Sequence, residues 1–298
     1  MRIQFCISRG ADVFKIFISV FLMFLFVNIP LTQGSGLCHK WEFTALEHRL
    51  VADGFKKEKI EKIFKNPNVF FDPKGVSLFF VHSESTLDYT QFLSAKSIKK
   101  AALYMEKHQK ELDDAQSTYG VDKTIITAII LVETRLGTYL GKREVINTLA
   151  TMASLNDKQV RESLWHSISS AGKLTRKKFN KKAAVKSKWA YSELKALLKY
   201  AFRENINPVR ITGSYAGAMG IAQFMPSNAL SLAKDGNDDG HIDLFNHSDA
   251  IFSIANYLKH FGWKTSTTRK DARKILFKYN HSNYYVDTLL KISDRLKG

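Results

Sequence analysis

Between Asp122 and Gly137 runs the sequence Ile125, Ile126, Ala128, Ile129, Ile130, Leu131 and Val132, apolar on every side of a helix. A helix of this kind has no face to offer water, so other elements must enclose it completely. With 298 residues, 45% of them hydrophobic, the chain can build the core this demands. Asp122 is placed to cap the helix. Glu133 follows the apolar run directly and precedes Thr134, Arg135, Leu136 and Gly137, where the helix should end, so its carboxylate is expected half inside the core.

The rest of the chain reads as more helix. Apolar residues at Ile98, Ala101, Met105, Leu112, Ala115 and Tyr119 recur at helical intervals and predict one amphipathic helix over 98–119, stopped by Gly120. Ala250, Ile254, Tyr257, Leu258 and Phe261 form another stripe, ending at Gly262. Residues 41–93 mix short helical pieces with turns at Asn66-Pro67-Asn68 and Asp72-Pro73-Lys74-Gly75. No repeat or strand-rich half is visible. The expected class is mainly α, or α+β, with a small sheet in the loop-rich stretch from Gly213 to Leu244.

The N-terminus has the layout of a secretory signal peptide: Arg2, Arg9 and Lys15, a mostly apolar run from Ile16 to Val27, then Pro30 and the small residues Gly34, Ser35 and Gly36. The run falls short of the ~20 residues a spanning helix needs, so cleavage near Gly36 is expected over retention as an anchor. That leaves Cys38 as the one mature thiol, without an internal disulfide. Leu37 stands where lipidation wants a small residue. The expected location is exported and periplasmic, with membrane association left open.

Lys and Arg exceed Asp and Glu by 17. Such a field attracts polyanions, which for an exported protein means wall or membrane surfaces. The chain lacks a nucleic-acid recognition motif, so no nucleic-acid partner is expected. The densest basic stretch, Lys173 to Lys188, holds eight cations and no acid. It is either a solvated face or the contact with an anionic wall or membrane surface.

Burial disfavours the charged form of a carboxylate, which keeps an acid available to protonate a leaving group. Glu133 is therefore a candidate general acid; the plain alternative is a structural glutamate paired with Arg135. A second feature is the small-residue stretch from Gly213 to Pro226, carrying Ser214 and Gln223. Small residues let a bulky ligand approach the backbone, or simply let two helices pack closely.

Together, Val132-Glu133-Thr134-Arg135-Leu136-Gly137, the Gly213–Pro226 stretch and Tyr279-Asn280-His281-Ser282 resemble the B-type lytic murein transglycosylases, in that order. The resemblance runs from about Thr44 to Leu296. It implies a lysozyme-like catalytic core over 96–263, preceded by a signal (1–36) and an N-terminal helical region (37–95), and followed by a C-terminal helical region (264–298) that completes the cleft. It also implies cleavage of the β-1,4 bond between N-acetylmuramic acid and N-acetylglucosamine of peptidoglycan. Glu133 would act first as acid, then as base on the muramoyl C6 hydroxyl, leaving a 1,6-anhydro end. Substrate contact is carried over to Ser214, Gln223, Tyr257, Tyr279 and Tyr285, though each tyrosine could equally be packing.

Ordinary glycosidases need two carboxylates. An internal hydroxyl has a high effective concentration and lets one suffice; Glu144 and Asp157 remain candidates for a second. Leu136 replaces the family's usual tryptophan and Tyr215 its phenylalanine. After Ala153 a short segment with paired arginines gives way to the longer Lys173–Lys188 region, which puts that route to stem-peptide recognition in question.

Asp235, Asn237 and Asp239, with Gly240 and the His241 carbonyl, occupy the early positions of an EF-hand loop, but Asn246 stands where the closing glutamate belongs. The resemblance supplies Asp249 as the later ligand, so residues 235–249 are expected to hold a structural Ca2+. The alternative is a surface turn held by its own hydrogen bonds. No cofactor is expected for catalysis, and no His/Cys cluster suits zinc. Two other readings of the chain stay open, a hydrolytic muramidase and a noncatalytic peptidoglycan-binding protein.

Overall fold

A computed structural model describes residues 41–81, 88–168 and 175–298. The leader read at 1–36, Cys38 and Lys173 lie outside them. Three short helices come first, α1 (Trp41–Ala52), α2 (Lys57–Phe64) and α3 (Pro73–Val81). Then follow α4 (Ala95–Lys107), α5 (Gln109–Tyr119), α6 (Lys123–Thr134), strand β1 (Arg143–Glu144), α7 (Val145–Ser154), α8 (Lys158–Ile168) and α9 (Arg176–Arg203). Strand β2 (Thr212–Gly213) precedes α10 (Pro226–Leu232), α11 (His247–His260), α12 (Arg269–Tyr279) and α13 (Asn283–Lys297).

Two helices form the axes of the core. In α6 nine of twelve residues are buried, enclosed by α13, α4, α5 and α11, as its all-round apolar sequence requires. The Asp122 carboxylate caps it, accepting from the Thr124 N–H at 2.9 Å. Every residue of α7 is buried, beneath α9, α1 and α3. Two of its polar side chains bind the preceding segment: Asn147 Oδ1 accepts from the Phe70 N–H at 3.1 Å and Thr151 Oγ1 from the Asp72 N–H at 2.9 Å. These bonds tie the N-terminal helices onto the core, with which they form one compact unit.

The single helix expected over 98–119 is two. The chain breaks at His108, whose backbone (φ −112°, ψ 32°) leaves the helical region, and Gly120 then stops α5 in the left-handed conformation. The apolar intervals continue across the break because both pieces pack against α6. His108 is itself buried, its ring stacked on His247 at the start of α11 with centroids 4.6 Å apart.

The small sheet also differs from expectation. Only its β2 edge borders the Gly213–Leu244 stretch, and its partner is β1, some seventy residues earlier, antiparallel with Arg143 opposite Gly213 and Glu144 opposite Thr212. Isolated bridges from Gly213 to Met219 and from Met219 to Phe224 fold the stretch back on itself. Gly213 has no room for a side chain, since a Cβ there would lie 2.1 Å from the Ala218 carbonyl oxygen. The small residues serve close backbone approach.

Candidate active site

The helix carrying Glu133 ends abruptly. Arg135, Leu136 and Gly137 all take positive φ, at 50°, 63° and 79°. The Leu136 N–H reaches the Ile130 carbonyl at 3.1 Å and the Arg135 N–H the Leu131 carbonyl at 3.0 Å, a nested pair of bonds that closes the last turn one residue wider than a Schellman cap. Two successive non-glycine residues in the left-handed region store strain, a feature that clusters at functional sites. Surrounding bonds impose it. The buried Thr134 hydroxyl lies 3.2 Å from the Ile130 carbonyl oxygen and 3.1 Å from that of Ile221, and accepts from the Gly137 N–H at 3.1 Å. It thereby clamps the end of α6 to the small-residue stretch. A Cβ on Gly137 would lie 2.7 Å from His247 Cε1.

Glu133 is half-buried. The Tyr285 hydroxyl donates to its Oε1 at 2.6 Å, a charge-assisted length. Tyr285 is set by Ser282, which caps α13, and is 1% exposed. Tyr279, at the end of α12, lies nearly parallel to Tyr285 (13°, centroids 6.5 Å apart) and donates to the Ala222 carbonyl at 2.5 Å. Burial first, and then the Glu133 charge, push both phenols well above their ordinary pKa, so each stays a fixed donor. Tyr257 packs edge-on behind Tyr279 at 4.9 Å, is 4% exposed and donates to the Lys278 carbonyl. It supports the wall and offers little surface to a ligand.

Sequence reasoning passed over Tyr89. Its ring meets Tyr285 edge-on at 6.2 Å. Two residues on, Gln91 Oε1 accepts from the Arg135 guanidinium at 3.1 Å. Arg135 therefore turns toward Gln91, the partner its sequence did not announce. No periodicity marks Tyr89; only its place in a short irregular segment ahead of α4 could have drawn notice.

In the small-residue stretch Ser214 Oγ accepts from the N–H groups of Ala216 and Ala218, at 3.2 and 3.1 Å. Gln223 adopts φ 48° and its side-chain amide donates to the Gly220 carbonyl at 2.8 Å. Both side chains are half-buried and shape the turn that Thr134 grips through Ile221. Of the two other acids, Asp157 caps α8 by accepting from the N–H groups of Gln159 and Val160, and Glu144 sits in β1.

The acidic loop is gathered by hydrogen bonds to its own backbone. Asp235 accepts from the N–H groups of Asp239 and Gly240, Asn237 from Asp239, and Asp239 from His241. Asp249, 1% exposed, accepts from Gly236 at 2.9 Å and Asp243 at 2.6 Å. Burial, followed by the charges of Asp235 and Asp239, pushes the Asp249 carboxyl above its ordinary range. Among the described residues no group of three or more His, Cys, Asp or Glu side chains is arranged to hold a metal. The loop as it stands is thus the self-bonded turn, with an all-oxygen donor set of the kind calcium takes.

The assembled features agree with known proteins. Residues 39–275 match the transglycosylase SLT domain. The chain is 33% identical over 173 residues to the membrane-bound lytic murein transglycosylase B of Escherichia coli (strain K12), an alignment covering 58% of this chain and 40% of that protein. It therefore spans about two fifths of that relative's length. Among solved structures it is similar to the E. coli lytic transglycosylase Slt35 in complex with calcium (TM-score 0.69, 21% identity, 87% of this chain and 93% of that one). It is equally similar to SltB3 from Pseudomonas aeruginosa in complex with NAG-NAM-pentapeptide (TM-score 0.69, 21% identity, 87% and 79%). These likenesses establish the mainly helical, lysozyme-like fold, and with the match over residues 39–275 the chain belongs to the transglycosylase SLT domain family.

Proposed function

We propose that the protein is a lytic transglycosylase that cleaves peptidoglycan glycan strands between N-acetylmuramic acid and N-acetylglucosamine, with Glu133 as its acid and base. The observation that carries this reading is the half-buried Glu133 carboxyl group, held at 2.6 Å by a phenol that cannot itself ionise near neutral pH. In the first step protonated Glu133 gives its proton to the glycosidic oxygen as the C1–O bond breaks, leaving an oxocarbenium-like muramoyl centre. In the second, the Glu133 carboxylate takes the proton of the C6 hydroxyl as its oxygen bonds to C1. The 1,6-anhydro ring closes, Glu133 regains its proton, and no water is consumed. One carboxylate suffices because the nucleophile belongs to the substrate.

The walls of the site fit this role. Tyr285 orients the carboxyl group and offers a hydrogen bond to its ionised form. Tyr279, Ser214 and Gln223 are the groups proposed to meet sugar, with Tyr257 backing Tyr279. We assign the 235–249 loop a structural Ca2+ through Asp235, Asn237, Asp239, the His241 carbonyl and Asp249; a bound cation would relieve the carboxylate repulsion felt by Asp249, and no catalytic step depends on it. The protein is proposed to act outside the cytoplasm. No helix among the described residues is long and apolar enough to cross a membrane. The exposed cations Lys177, Lys178, Lys181 and Lys188 on α9 are proposed to hold it against anionic wall or membrane surfaces.

The test is mass spectrometry of muropeptides released from purified peptidoglycan by the protein and by Glu133→Gln. Anhydromuramoyl products from the wild type alone support the proposal. Reducing-end products lost in the variant would make the enzyme a muramidase, and no release from either would leave a glycan-binding protein.

A further inference from the structure

Beside the catalytic turn lies a second cleft, of 580 Å³, formed between α4 and the segment that follows Glu133. Its lining carries four cations, Lys96, Lys100, Lys107 and Arg135, and no Asp or Glu, over apolar surface that includes Phe92 and Leu136. The three lysines are one stripe of α4, at intervals of four and seven residues, and all are exposed. Among the described residues none of the three forms an ion pair. A concave surface lined by one sign of charge concentrates ligands of the other. The cleft is also close to the chemistry: Arg135 follows Glu133 by two residues, a span of at most about 7 Å, and Gln91, which bonds Arg135, belongs to the segment that places Tyr89 on Tyr285.

We propose that this cleft receives the carboxylates of the short acidic peptide attached to the muramoyl residue on which Glu133 acts, with Lys96 and Lys100 as specificity-determining residues. The assignment rests on the transglycosylase reading above. It gives the chain a charged peptide site on α4, apart from the basic region that begins at Lys173. The apolar surface suits the aliphatic parts of a peptide, and the cations suit its ionised ends. A peptide seated there would anchor the muramoyl ring beside Glu133, so binding should gain while the chemical step stays the same.

The test compares glycan chains bearing peptide with chains stripped of it, using wild type and Lys96→Gln/Lys100→Gln checked for folding by circular dichroism. The variant should raise KM for the peptide-bearing substrate about fivefold to tenfold, the size of two exposed ion pairs, with kcat unchanged. KM for stripped glycan should not move. An equal change on both substrates, or none on either, would overturn the proposal. A second measurement reads the cleft without turnover: N-acetylglucosaminyl-N-acetylmuramoyl pentapeptide is titrated calorimetrically into Glu133→Gln with and without the two lysine changes. A matching loss of affinity supports the cleft even if the wild type releases no product, in which case the transglycosylase reading alone fails. Equal affinities refute the cleft whatever the enzyme does.

Discussion

Tyr285→Phe removes one oxygen atom and tests the core of the mechanism. The phenol donates to Glu133 Oε1 at 2.6 Å from a position 1% exposed. Hydrogen bonds to charged groups contribute ~1.5–3 kcal/mol. The ring itself remains, still parallel to Tyr279 and edge-on to Tyr89, so packing changes little. If the bond orients the carboxyl group through both proton transfers, its loss should lower kcat by roughly 10- to 100-fold with little change in KM. Because the folded state also loses the bond, the melting temperature should fall by about 3–12 °C, at roughly 2–4 °C per kcal/mol for a domain of this size. Steady-state release of muropeptides and a calorimetric melt read the two effects. A variant with kcat within twofold of wild type would refute the orienting role, even if its stability dropped.

Other consequences follow from the same structure. Thr134→Val keeps shape but strands the Ile221 carbonyl and the Gly137 N–H, at about 1–3 kcal/mol for each lost partner; Thr134→Ser should hold the wild-type melting temperature, and equal melts for the two would remove the clamp. Calcium at one hundred times its Kd should stabilise the protein by about 2.7 kcal/mol, and Asp249→Asn should abolish the response, both seen by thermal shift with chelator as control. Burial raises Tyr257 to about 12 and Tyr279 and Tyr285 further, so their contribution to stability is intact below the unfolded phenol value near 10 and is lost as pH climbs above it. Denaturant midpoints should therefore fall steeply from about pH 10 upward, together with a tyrosinate absorbance rise that follows unfolding; early ionisation of the full tyrosine set would contradict this burial. Adsorption to peptidoglycan sacculi or anionic vesicles should weaken with salt and with replacement of Lys177, Lys178, Lys181 and Lys188 by Gln, and salt-independent adsorption would remove α9 as the contact.

What was readable in the sequence was whatever a single helix announces by itself. The enclosed α6 follows from a run with no polar face, its start from Asp122, its end from the residues after Glu133, and the depth of Glu133 from standing between the two. The break at His108 was hidden because α4 and α5 both pack against α6, so the apolar intervals run through a backbone change that no Pro or Gly marks. The partner of Thr212–Gly213 was hidden because a two-residue strand has no alternation to display, and pairing across seventy residues leaves no local trace. The resemblance brought Tyr257, Tyr279 and Tyr285 forward as equals, whereas their surroundings separate them: one holds the acid, one stacks beside it and one stands behind. Tyr89 escaped both routes.

The architecture explains how one acid can be enough. A lone carboxyl group that must give a proton and then recover another has to keep one geometry through both steps, and α6 alone cannot provide it, because a side chain in a last helical turn is free to swing. Three attachments remove that freedom. Tyr285 fixes the carboxyl group from α13. Thr134 fastens the next residue's backbone to Ile221, and so to the turn bearing Gln223. The strained left-handed pair Arg135 and Leu136 then sends the chain away at once, with Arg135 tied to Gln91. Each attachment comes from a different part of the chain, and the one that holds the carboxyl group itself forms only when α13 packs on α6. Truncation before Asn283 strips Tyr285 from Glu133 and uncovers α6, so it should abolish turnover and lower the melting temperature, and a truncated chain that retained wild-type kcat would show that the carboxyl group needs no such frame.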